Sequence, residues 1–72
     1  EITFETDVVI SFSEGSKGKP LFFGIDNQSL IIMDTGSGET YQLQAGRYNI
    51  ILPSNEVYYA FNMYVIIGGG PS

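Results

Sequence analysis

The sequence contains no cysteine, histidine or tryptophan. The missing cysteine excludes disulfides, and the lack of both cysteine and histidine excludes zinc, copper and haem sites built on those ligands. A cysteine nucleophile, a serine–histidine pair and a histidine general base are excluded for the same reason. We therefore predict a non-enzymatic protein with no cofactor and no metal site.

Positive charge is also scarce, because eight acidic residues stand against only three lysines and arginines and give a net charge of −5. Nucleic-acid binding normally needs a basic stripe, so no nucleic-acid partner is expected. The longest apolar stretch, residues 57–67, is also too short to cross a membrane as a helix, which needs roughly 20 residues. We expect no membrane span.

The chain is short, with 72 residues. A domain of this size buries only about 60% of the surface that its unfolded chain exposes, so its core leaves a thin margin of stability. Small domains commonly add disulfides, a metal or partner subunits. We therefore expect a homo-oligomer or a complex with another protein. The location stays open, with an extracellular or virion-associated protein favoured over a cytoplasmic one.

Strand patterns fill the chain, and no segment has helical periodicity. Residues 2–12 alternate, with even-numbered positions mostly apolar. The acids Glu1, Glu5 and Asp7 are expected to be exposed and to prevent unwanted pairing at a sheet edge. Glycine, proline and asparagine separate five further predicted strands, at residues 21–26, 30–34, 40–44, 47–52 and 56–67. Short loops favour antiparallel neighbours, so we predict an all-β, six-stranded antiparallel meander that closes into a barrel or a two-layer sandwich.

The strongest hairpin pattern covers residues 40–52, with Ala45-Gly46 as its turn. Its inward faces carry Tyr41 and Leu43 on the first strand and Tyr48, Ile50 and Leu52 on the second, and both tyrosines are assigned to the core. One β domain is predicted over residues 1–67, followed by a flexible Gly/Pro tail or linker at residues 68–72. The start at Glu1 rather than at methionine suggests a removed leader or a longer parent product.

The last predicted strand is apolar on both faces. Its odd-numbered residues from 57 to 67 form one row, and the other row, called here the even row, consists of Tyr58, Ala60, Asn62, Tyr64 and Ile66. A strand in a small antiparallel sheet needs only one apolar face. The even row is covered either by another layer of the same domain or by a second copy of the chain. We favour the second copy, because oligomerisation stabilises small cysteine-free domains and Tyr is enriched in interface cores.

One tetrapeptide, Asp-Thr-Gly-Ser at residues 34–37, follows an Ile-rich strand and resembles the active-site signature of pepsin-like and retroviral aspartic proteases. Residues 65–68 (Val-Ile-Ile-Gly) resemble a second segment of that family. The resemblance implies a homodimer in which one Asp34 from each chain shares a proton and activates water.

The sequence departs from that family in length. The whole chain is shorter than a minimal protease subunit, and the spacing from Asp34 to Gly68 is too short for the family's barrel and flap. We therefore interpret residues 34–37 as a turn that Asp34 begins, with Gly36 and Gly38 supplying positive φ angles.

Three functions follow. The first is a structural or interaction module of the virion, appendage or secreted-scaffold type, which self-associates through the even row. The alternative is an extracellular module that binds carbohydrate or peptide with Tyr58 and Tyr64, since tyrosine offers a flat apolar face and a hydroxyl. The third is a minimal or degenerate aspartic protease with Asp34 as the catalytic residue.

Overall fold

A computed structural model describes residues 1–53 and 59–67 of the chain. These residues form seven strands: β1 (Ile2–Phe4), β2 (Val8–Phe12), β3 (Leu21–Gly24), β4 (Leu30–Ile32), β5 (Tyr41–Leu43), β6 (Gly46–Ile51) and β7 (Met63–Ile67). The four-stranded sheet has the order β1-β6-β3-β4, and the three-stranded sheet has the order β5-β2-β7. All of the pairings are antiparallel, so the predicted all-β antiparallel class is confirmed.

Both sheets contribute to one core. Its buried members are Phe4, Phe22 and Tyr48 from the four-stranded sheet, Val8, Ile10 and Leu43 from the three-stranded sheet, and Met33. Two sheets that share a core in this way fit the two-layer alternative, and they do not close into a barrel. The predicted meander is replaced by crossed connections, because among the described strands only β3 and β4 are neighbours both in sequence and in a sheet.

The first predicted strand, residues 2–12, is divided between the two sheets. β1 lies at the edge of the four-stranded sheet, whereas β2 lies at the centre of the three-stranded sheet. Even-numbered residues face the core on both sides of the break, since Phe4, Val8 and Ile10 are all buried. The uninterrupted alternation of the sequence therefore hides a change of sheet at residues 5–7.

The hairpin predicted over residues 40–52 is not formed. β5 pairs with β2 while β6 pairs with β1, so the two strands of the predicted hairpin lie in different sheets. Phe4 is opposite Gly46 and Val8 is opposite Leu43, which leaves three residues on the first strand facing two on the second. One extra residue on one strand is the mark of a bulge, and bulges bend strands that pass between sheets.

The chain passes between the sheets a second time at Ala45-Gly46, and this crossing forms hydrogen bonds with Asp7 on one side and Asp26 on the other. Asp7 accepts a hydrogen bond from the Ala45 N–H at 2.9 Å. Gly46 has a φ of +145°, and a Cβ placed on it would lie 3.3 Å from Asp26 Oδ2. Asp26 accepts hydrogen bonds from the Arg47 backbone at 3.0 Å and from its guanidinium at 2.7 Å. Inward-facing residues change from odd to even numbers at this glycine, which imitates the pattern of a turn.

Burial along β5 and β6 agrees with the predicted inward faces only in part. Leu43 and Tyr48 are buried and Tyr41 is half-buried, as predicted. Ile50 and Leu52, also predicted to face inward, are 39% and 51% exposed. β6 reaches the end of its pairing with β3 at Ile51, so these two residues lie at and just beyond the end of the strand.

Residues 13–19, the polar loop between β2 and β3, are bonded to two distant segments. Lys17 forms an antiparallel bridge with Ala60 through hydrogen bonds of 2.9 and 3.0 Å. The carbonyl of Gly18 accepts hydrogen bonds from the N–H and the hydroxyl of Thr35, at 3.2 and 2.9 Å. These contacts join the loop to the segment before β7 and to the turn after β4.

The described residues include no helix that is long and apolar enough to cross a membrane. The predicted tail at residues 68–72 and the predicted strand positions 56–58 lie outside the described residues, and so does Tyr58 of the even row.

Candidate functional site

The final segment alternates between half-buried and exposed positions from residue 59 to residue 66, and Ile67 of the odd row breaks this alternation because it is 70% exposed. Residues 59, 61, 63 and 65 are half-buried, whereas Ala60, Asn62, Tyr64 and Ile66 are exposed. The Phe61 ring meets Phe12 edge-to-face, with centroids 5.3 Å apart. The odd row therefore packs inward on the aromatic part of the core, and the described members of the even row point away from it.

Strand pairing places the even row on the outer face of the three-stranded sheet. Tyr64 is opposite Ser11 and Ile66 is opposite Val9, both on β2. Tyr64 is 54% exposed and Ile66 is 55% exposed. The structure thus brings Tyr64 and Ile66 together on one open surface, with Ala60 and Asn62 before them on the chain.

β7 is an edge strand without charge. Among the described strands it has one neighbour, β2, and its sequence is Met-Tyr-Val-Ile-Ile. Acidic residues lie next to the other three edges: Glu1 and Glu5 flank β1, Asp34 follows β4 by two positions, and Glu39 precedes β5 by two positions. Charged residues discourage unwanted pairing at sheet edges. The five residues of β7 therefore form the least protected edge in the described part of the chain.

A second apolar surface covers the outer face of the four-stranded sheet. Leu30 and Ile32 are each 59% exposed and Ile51 is 48% exposed. Ile51, Leu21 and Ile32 are aligned across β6, β3 and β4 in one cross-strand row. Sequence reasoning missed this surface, although the alternation of β3 around the buried Phe22 could have indicated it.

The Asp-Thr-Gly-Ser segment is a hydrogen-bonded turn. The Ser37 N–H donates to the Asp34 carbonyl at 3.3 Å, and Asp34 Oδ1 accepts the Gly36 N–H at 3.0 Å. Thr35 is buried, with its hydroxyl on the Gly18 carbonyl. A positive φ of +79° occurs at Gly38, as predicted, but Gly36 has no positive φ. A Cβ on Gly36 would instead lie 3.2 Å from the Ser16 carbonyl oxygen, so close approach is the local requirement for glycine there.

Arg47 and Asp26 form an exposed ion pair beside the crossing at Ala45-Gly46. The Arg47 guanidinium contacts Asp26 Oδ1 at 2.7 Å. Hydrogen bonds from the Arg47 side chain and backbone lower the pKa of Asp26, and the same side-chain bond raises the pKa of Arg47. Because this pair is exposed, we attribute to it a role in positioning the second sheet crossing rather than a large contribution to stability.

No group of three or more acidic side chains in residues 1–53 and 59–67 is placed to hold a metal ion. Comparison with protein-family models, with curated proteins and with solved structures found no match to this chain.

Proposed function

We propose that this chain is a non-enzymatic structural or interaction module that associates with further copies of itself through the even row. The observation that supports this most directly is the exposure of Tyr64 and Ile66 on an uncharged edge strand. A virion, appendage or secreted scaffold would use such a module as a repeated building unit.

Tyr64 and Ile66 leave apolar surface uncovered that a second copy of the chain would bury. Fully burying one large apolar side chain contributes about 1.5–3 kcal/mol, and about half of Tyr64 and of Ile66 is still exposed. Each side chain can therefore contribute roughly 1 kcal/mol when it is covered. In a two-fold dimer both copies contribute, giving about 4 kcal/mol, which corresponds to about a thousandfold in the dissociation constant.

Electrostatics are compatible with a second copy as the partner. Two chains of net charge −5 repel each other at long range, so contact requires a surface free of carboxylates. Neither the described members of the even row nor Val9 and Ser11 beside them carry charge. A small domain also gains stability from binding its own copies, because association stabilises the folded state by mass action.

The test is sedimentation velocity from low to high micromolar protein. We expect the unmodified chain to associate, and the double variant Tyr64→Ser with Ile66→Thr to raise the dissociation constant at least about tenfold. The matched control is Leu30→Ser with Ile32→Thr, which removes equally exposed apolar surface from the other sheet and should leave association unchanged.

Two results would overturn the proposal. If the unmodified chain remains monomeric at high micromolar concentration, self-association of this strength is excluded. Equal weakening by the control variant would move the interface to the outer face of the four-stranded sheet. Circular dichroism spectra and melting curves of both variants establish that each one is folded.

A further inference from the structure

A pocket of about 370 Å³ lies where the edge strands of the two sheets come together. Ile31 of β4, Leu43 of β5 and Tyr48 of β6 supply its apolar lining. Tyr48 is almost fully buried, and its hydroxyl donates a 2.7 Å hydrogen bond to the Gln44 carbonyl, which fixes the ring in place. The volume is at the lower end of the roughly 300–1,000 Å³ typical of small-molecule sites, which suits a small ligand.

The polar lining consists of side chains without formal charge. It includes three carboxamides and one hydroxyl, from Asn27, Gln42, Gln44 and Ser29. Each carboxamide both donates and accepts hydrogen bonds, and so does the hydroxyl. The pocket therefore offers donors and acceptors above an apolar floor, with no ionised group among its lining residues.

Part of this lining is already oriented. Asn27 Oδ1 accepts hydrogen bonds from the Ser29 N–H at 3.1 Å and from the Ser29 hydroxyl at 2.7 Å. The residue between Asn27 and Ser29 in this turn, Gln28, has a positive φ of 53°. The Asn27 NH₂ group is left to donate and the Ser29 oxygen is left to accept. Such preorganisation lowers the entropic cost of binding.

We propose that this pocket binds a small neutral saccharide. Sugar hydroxyls donate and accept at once, which matches carboxamides and a serine hydroxyl, and the C–H face of a sugar ring suits the floor of Tyr48, Leu43 and Ile31. The net charge of −5 and the lack of a cationic lining residue disfavour anionic ligands. The site is separate from the even row, and neither the pocket nor its ligand depends on self-association.

The test is a ¹H–¹⁵N NMR titration of the full chain with glucose, galactose, mannose and N-acetylglucosamine, with glucuronate as the anionic comparison. We expect at least one neutral sugar to give saturable shifts at residues of the pocket, with a dissociation constant on the order of a millimolar. Glucuronate should bind more weakly than that sugar.

Two variants of lining residues and one control variant distinguish sugar binding in this pocket from non-specific binding. Ser29→Ala and Gln44→Ala should each weaken binding by about fivefold, the typical effect of losing one hydrogen bond. Asn49→Ala is the matched control: Asn49 is opposite Phe23 in the four-stranded sheet, is exposed, and does not line the pocket, so affinity should not change. The proposal is overturned if no neutral sugar shifts the pocket residues, if glucuronate binds as tightly, or if neither pocket variant weakens binding.

Discussion

Replacing Gly46 with alanine tests the crossing between the two sheets. Gly46 begins β6 with a φ of +145°, a region that L-amino acids with a side chain rarely adopt. The new Cβ would also lie 3.3 Å from Asp26 Oδ2, in the carboxylate that binds Arg47. Both effects act on the folded state.

The magnitude follows from two opposing terms. A side-chain-bearing residue held in such a conformation costs about 1–3 kcal/mol. Alanine also restricts the unfolded chain, which stabilises the fold by about 0.4–1 kcal/mol. Strain exceeds this gain, so Gly46→Ala should destabilise the protein by about 1–2 kcal/mol. For a domain of this size, that loss lowers the melting temperature by about 5–15 °C.

Thermal and urea unfolding, followed by circular dichroism, measure this loss. Gly38→Ala is the control, because Gly38 has a φ of +79° but nothing within 4 Å of the added Cβ. We expect the control to lose less than Gly46→Ala. A Gly46→Ala variant that melts at the same temperature as the unmodified chain would refute the strained crossing at this position.

Two further variants test the hydrogen bond of the Tyr48 hydroxyl and the ion pair of Asp26 with Arg47. Tyr48→Phe should lower stability by about 1 kcal/mol in urea unfolding, because the buried hydroxyl no longer donates to the Gln44 carbonyl; no loss would mean that the bond contributes nothing. Asp26→Asn should destabilise the chain at neutral pH, and the difference from the unmodified chain should shrink as the pH falls. Arg47 lowers the pKa of Asp26 in the folded state, so the carboxylate stabilises above its usual pKa of about 3.9 and loses that effect as the pH falls through the folded value. A difference that stays constant from pH 7 to pH 3 would contradict this account.

Local patterns were reliable where one strand faces one core. The even positions of residues 2–12 predicted the buried Phe4, Val8 and Ile10, because alternation reports which side of a pleated strand is apolar. In the last strand the sequence predicted two apolar rows, and the structure half-buries residues 59, 61, 63 and 65 of the odd row while Ile67 is exposed. Exposure of Tyr64 and Ile66 was consistent with their assignment to the second row, although what covers them is still a proposal.

Errors arose where the chain changes sheets. Residues 2–12 keep their alternation across the change of sheet at residues 5–7, so the sequence predicted a single strand there. At Gly46 the inward-facing residues change from odd to even numbers, and this was interpreted as a hairpin turn although the chain passes there from one sheet to the other.

The sequence by itself determined the antiparallel β class, the absence of cysteine and histidine chemistry, and the two-faced character of the last strand. These are properties of composition and of period-two patterning, which are local. Only the tertiary structure decided which strands are neighbours, that the edge strands β4 and β5 border a pocket, and that Leu30 and Ile32 face outward. Those outcomes depend on pairing between residues far apart in sequence, and nothing in the local pattern of a strand records the identity of its partner.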